Sequence, residues 1–145
     1  MAHKGRFSLC IRLRFAAQGN APLINGIVTR REAWIQLKVL SPSGAVHQVR
    51  AVIDTGFNGW LTLPGELIDD CELRLKTISR GTLADGNEAF FEVYEGRAIW
   101  DGKARRIPIH RGGSKPLLGM ALLRGYKLSI DVRGRGRVEI TKLTR

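Results

Sequence analysis

Asp54-Thr55-Gly56 is the stretch whose residue types and order point to chemistry. An apolar run, Ala51-Val52-Ile53, leads into it and a second, Trp60-Leu61-Thr62-Leu63, leaves it. A carboxylate at the end of such a strand can act as a general acid or base. Thr55 offers a hydroxyl to brace the loop, and Gly56 lets the backbone turn sharply beside the carboxylate. Competing chemistries lack their parts. His3, His47 and His110 form no H-x-H or H-E-x-x-H arrangement, so no metal site is expected. There is no Gly-x-Ser-x-Gly elbow, and neither Cys10 nor Cys71 stands in a catalytic setting. Arg111-Gly112-Gly113-Ser114-Lys115 lacks the spacing of a phosphate-binding loop, and no cofactor is expected.

The elements that must hold this loop read mostly as strands. Ala33 to Leu40 alternates at period two, Ser41-Pro42-Ser43-Gly44 supplies a turn, and Val46 to Ile53 alternates again up to Asp54. A β-hairpin is therefore predicted to deliver the loop. Pro64 to Leu73 is the better helix candidate, with Pro64 at its start and Glu66, Asp69 and Asp70 on a solvent face. Asp85-Gly86 lies between two extended runs, Ile78 to Leu83 and Glu88 to Tyr94, a strong hairpin signal because Gly adopts the left-handed turn conformation freely. Asp101-Gly102 marks a second turn, read as structural. Tyr126 to Val132 and Arg137 to Ile140 read as a closing strand pair around Arg133-Gly134-Arg135-Gly136.

At 145 residues the chain is expected to build one core and is too short for two full lobes. No apolar run approaches a membrane span, and Arg12 and Arg14 interrupt the segment that would have to serve as a signal peptide. The two cysteines imply no disulfide framework, which makes a reducing cytoplasm the expected location. Lysine and arginine total 24 against 13 acidic residues, and a net charge of +11 keeps a nucleic-acid or anionic partner in view. The basic residues gather toward the ends, at Lys4, Arg6, Arg12 and Arg14, and again at Arg133, Arg135, Arg137, Lys142 and Arg145.

A further element lies downstream: Pro116-Leu117-Leu118-Gly119-Met120-Ala121-Leu122-Leu123, an apolar pair and a Gly opening a short apolar helix. Asp-Thr-Gly, a hairpin segment and Leu-Leu-Gly, in that order, resemble the retropepsin-like (retroviral-type) clan of aspartic proteases, in a single-lobe, free-standing form of bacterial type. The likeness runs from about Asn25 to Val132. It implies an all-β fold, a closed barrel with a flap hairpin and one or two short helices, in a protease domain over 23–145 preceded by a basic extension over 1–22. It implies Asp54 as the catalytic residue, Thr55 and Gly56 as the active-site loop, Leu83, Ala84, Asp85 and Gly86 as a substrate-covering flap, and Leu118 and Gly119 as support. On the residues alone, that hairpin is equally a plain surface hairpin.

Such enzymes use two carboxylates around one water, and this chain carries a single Asp-Thr-Gly, since Asp85 and Asp101 are followed directly by Gly and lack the Thr. The resemblance thus implies a homodimer with one Asp54 from each chain, acting on a polypeptide substrate. Ile53, Leu83, Ala84, Phe90 and Leu122 are candidate pocket walls, with a core placement the commoner alternative for each. Three positions depart from the clan. Phe57 stands where a small residue is usual, and either narrows the cleft or packs outward. Asn58 and Met120 replace an acid and an Arg that pair in many relatives, so the ion pair is lost without stranding a charge. Two other readings stay open: a catalytically silent module that binds or dimerises through the same fold, and a basic nucleic-acid-binding protein, which the missing recognition signatures disfavour.

Overall fold

Strand alternation sets the framework in the computed structural model, which describes residues 24–144. β1 (Ile24–Thr29) turns through Arg30 and Arg31 into β2 (Glu32–Leu40), which points Ile35, Leu37 and Val39 inward. The Ser41–Gly44 turn then returns the chain as β3 (Val46–Ile53), paired with β2 from Leu40↔Val46 to Trp34↔Val52. Gly44 adopts φ +92°, and the Ser41 amide donates to the Ala45 carbonyl oxygen at 2.9 Å to close the turn. The hairpin expected before Asp54 is present with its boundaries nearly as read.

After the Asp54 loop comes β4 (Leu61–Leu63), then α1 (Gly65–Asp70). α1 is shorter than the helix expected over Pro64 to Leu73. Pro64 remains extended as its N-cap, and Glu72, at φ +53°, leaves the helical region just past Cys71. Only Ile68 of the helix is buried, while Glu66, Asp69 and Asp70 face solvent. β5 (Arg74–Thr82) and β6 (Glu88–Trp100) form the hairpin around Asp85-Gly86, and β6 runs on past Tyr94. Asp101 and Gly102, both at positive φ, make the two-residue turn into β7 (Lys103–Arg111), a structural turn as expected. The rest is β8 (Leu117–Leu118), the short α2 (Met120–Leu123), β9 (Tyr126–Ile130) and β10 (Arg137–Lys142).

The strands form one ten-stranded sheet in the order β5-β6-β7-β4-β8-β3-β2-β1-β10-β9. A further pairing of β2 with β6, at Lys38↔Ile99 to Leu40↔Arg97, closes part of this sheet into a ring. The core holds Val39, Ala51, Leu61, Ile109, Leu118, Leu122 and Ile140, each fully shielded from solvent. The fold is all-β with two short helices. The basic amino-terminal extension lies outside the described residues, as does Cys10.

Candidate active site

β3 ends at Ile53, and the loop beyond it is held by a strand from far along the chain. β8 lies parallel to β3 on one side and antiparallel to β4 on the other. It fills the gap between the two strands that the Asp54 loop joins, so the loop must be wide enough to span an intervening strand. The Val52 amide donates to the Pro116 carbonyl oxygen at 3.0 Å and the Asp54 amide to that of Leu118 at 2.9 Å. From beyond β8 the amides of Gly119, Met120 and Ala121 donate to the carbonyl oxygens of Trp60, Phe57 and Gly59. Leu118 and Gly119 are thus in direct backbone contact with the loop.

Within the loop, the Gly56 amide donates to Asp54 Oδ1 at 2.9 Å and the Phe57 amide to the Asp54 carbonyl oxygen at 3.1 Å. These bonds orient a half-buried carboxylate, while Thr55 and Gly56 are exposed. None of the loop's hydrogen bonds among the described residues uses the Thr55 hydroxyl. The bracing expected of Thr55 comes from main-chain amides instead, and its side chain remains available at the surface.

Phe57 packs beneath the loop. Its ring meets His110 edge-on at a centroid distance of 5.9 Å and lies over Gly59 and Gly119, where any Cβ would strike it. It borders neither groove at the loop. The ring is a floor under the loop. Burial lowers the pKa of His110 below its ordinary 6.5, and its buried Nδ1 has no hydrogen-bond partner.

Two grooves meet at Thr55. One, of about 460 Å³, carries Asp54 together with Val28, Ile53, Leu117, Ile130 and Val132. Its other carboxylate, Glu32, is ion-paired with Lys115, whose ammonium also lies over the Trp34 ring. The second groove, of about 940 Å³, is mostly apolar and includes Asn58, Trp60, Met120 and Leu128. Asn58 and Met120, the two uncharged replacements, therefore border one groove.

The structure brings Asp54, Thr55, Gly56, Leu118 and Gly119 together. Leu83, Ala84, Asp85 and Gly86 lie apart, at the exposed tip of the β5–β6 hairpin. There the Gly86 amide donates to the Leu83 carbonyl oxygen and Asp85 Oδ1 accepts from the Asn87 amide, and the tip borders neither groove. Of the candidate pocket walls, Ile53 lines the Asp54 groove. Leu122 takes the core alternative: it is wholly buried, because α2 turns it inward. Gly59 has no role in the sequence reading, and His110 enters it only as a rejected metal ligand. The second glycine of Gly56-Phe57-Asn58-Gly59 was a signal for a close backbone approach, whereas nothing local marked His110.

No protein-family model matches this chain, and no curated protein is similar to it in sequence. Among solved structures, it is similar to a retropepsin-like aspartic protease from Rickettsia conorii, with a TM-score of 0.51 and 17% identity over 83% of this chain and 92% of that one. At that identity the likeness is one of fold, and the fold of this chain is retropepsin-like.

Proposed function

We propose that this protein is an aspartic endopeptidase that works as a homodimer, with Asp54 of each chain as the catalytic pair. The observation that carries the reading is the Asp54 loop, in which an Asp-Thr-Gly turn is spread over an inserted strand and its carboxylate is oriented by a main-chain amide at the mouth of a groove. The other carboxylate lining that groove is neutralised by Lys115. A second copy is the natural source of the missing acid. Thr55, exposed between the two grooves, is suited to meet its own counterpart across a two-fold axis.

Two such carboxylates facing each other cannot both ionise cheaply, so the pair holds one proton. The ionised member takes a proton from the water between them, and the protonated one donates to the peptide carbonyl oxygen. An extended polypeptide bound by main-chain pairing would present that carbonyl, with the Leu83–Gly86 tip as the covering flap. In this reading residues 23–145 form the protease domain, residues 1–22 a basic extension, and the enzyme acts in the cytoplasm without a cofactor.

The test is to incubate the protein and its Asp54→Asn variant with a proteome-derived peptide mixture from acidic to neutral pH. New termini are identified by mass spectrometry, and the mass in solution by sedimentation. Cleavage by a dimeric wild type alone is expected. Cleavage by both proteins, or none by a folded dimer, would overturn the proposal, the latter in favour of a binding module.

A further inference from the structure

Away from the Asp54 loop, the sheet gathers three arginines around one cavity. It has a volume of about 380 Å³ and is lined by Leu40, Pro42, Arg74, Glu95, Arg97 and Arg106, with Gly96 between them. It forms where β6 changes partners: Glu95 still pairs with Arg74 of β5, whereas Arg97 already pairs with Leu40 of β2. On the other side of β6, Arg97 stands directly opposite Arg106 of β7. Like charges at directly opposed positions weaken an antiparallel pair, so this register carries an electrostatic penalty.

Among the described residues the penalty is only partly offset. Glu95, the cavity's single carboxylate, lies 3.8 Å from Arg106, but that pair is solvent-exposed and correspondingly weak. Arg97 is half-buried and has no carboxylate partner among the described residues. Its guanidinium donates instead to the Ser41 carbonyl oxygen at 3.4 Å. Ser41 is itself buried and locked in its turn, its Oγ accepting from the Ala45 amide at 3.0 Å. Arg97 is thereby held in place at the cavity with most of its fork of donors still free.

We infer that this corner of the sheet binds a dianionic phosphate group. Three guanidiniums against one carboxylate leave two positive charges unmet, which a phosphate monoester or inorganic phosphate supplies and a lone carboxylate does not. A nucleic-acid backbone carries one charge per phosphate along an extended track, whereas this site is a compact cavity. The inference is independent of the protease reading, because the cavity shares no residue with either groove at Thr55.

The test is a titration of the protein with inorganic phosphate at constant ionic strength, followed by amide NMR, with O-phosphoserine and a short single-stranded oligonucleotide as parallel probes. Saturable shifts centred on Gly96 and Arg97 are expected with phosphate, and stronger ones with phosphoserine if the natural ligand is an ester. Arg97→Gln is expected to weaken binding about tenfold or more, as loss of a charge-assisted contact does. Arg106→Gln, at an exposed position, repeats the test should Arg97→Gln fold poorly. Glu95→Gln should tighten binding by removing the opposing charge and releasing Arg106. Affinity for O-phosphoserine should fall as its phosphate becomes a monoanion below its second ionisation near pH ~6. Asp54→Asn should bind as the wild type does, so failure of the protease reading leaves this result intact. Non-saturable shifts, affinity unchanged in Arg106→Gln, or saturable binding of the oligonucleotide alone would overturn the inference.

Discussion

Gly119 approaches the Asp54 loop so closely that a Cβ on it would come within 2.2 Å of the Gly59 carbonyl oxygen. The obstacle is main chain, so no rotamer change relieves it. The same Cβ would sit 2.6 Å from the Phe57 ring and 2.8 Å from the Phe57 carbonyl oxygen. Gly119→Ala must therefore push β8 and the loop apart and stretch the hydrogen bonds from Gly119, Met120 and Ala121. Overpacking of this kind costs about 1–3 kcal/mol, and here the strain falls on the backbone that carries Asp54. A lowered urea midpoint with cleavage abolished is the expected outcome; an unperturbed, active variant would show that the approach is not tight.

Asp54→Asn separates chemistry from architecture. The Gly56 amide needs only an acceptor at Oδ1, which the asparagine side chain also offers. Stability should stay within about 1 kcal/mol of the wild type while turnover falls on the order of 10³-fold or more. Chemical denaturation run beside the peptide-cleavage assay decides this.

His110 should make the protein acid-sensitive. Burial holds its folded-state pKa below the ordinary 6.5, so between those two values the unfolded chain binds more protons than the folded one. Its contribution is therefore complete above pH 6.5 and declines as pH falls from there through the folded-state value. Protonation would place a charge directly against Phe57, under the Asp54 loop. His110→Leu, which also removes the partnerless Nδ1, should flatten this part of the stability profile. Urea midpoints of both proteins from pH 7.5 down to about pH 5 check it, at the values where a His titrates.

Gly86 tests the hairpin tip. It adopts φ +86° and has open space around its Cβ position, so Gly86→Ala meets conformational strain without a clash. A loss of about 1–2 kcal/mol is expected, since left-handed backbone costs a residue with a Cβ that order. If the tip is a flap, turnover should fall more than stability does; equal activity would make it a plain surface hairpin.

Local features were legible because their causes are local. Alternation in Ala33 to Leu40 and Val46 to Ile53, joined by Ser41-Pro42-Ser43-Gly44, was enough to read the hairpin that leads into Asp54. Asp101-Gly102 was readable as a turn because a two-residue connection demands positive φ at both positions. Pro64 to Leu73 was overextended, since nothing in its composition announces that Glu72 leaves the helical region.

The sequence by itself determined the hairpin before Asp54, the hairpin around Asp85-Gly86, the closing strand pair and the one place where a carboxylate sits between apolar runs, through periodicity and turn chemistry that act over a few residues. Only the tertiary structure decided that β8 enters between β3 and β4, that Phe57 lies over His110 beneath the loop, and that Arg97 faces Arg106. Each of these depends on the register between segments distant in the chain, where a shift of one residue turns every side chain to the opposite face of the sheet.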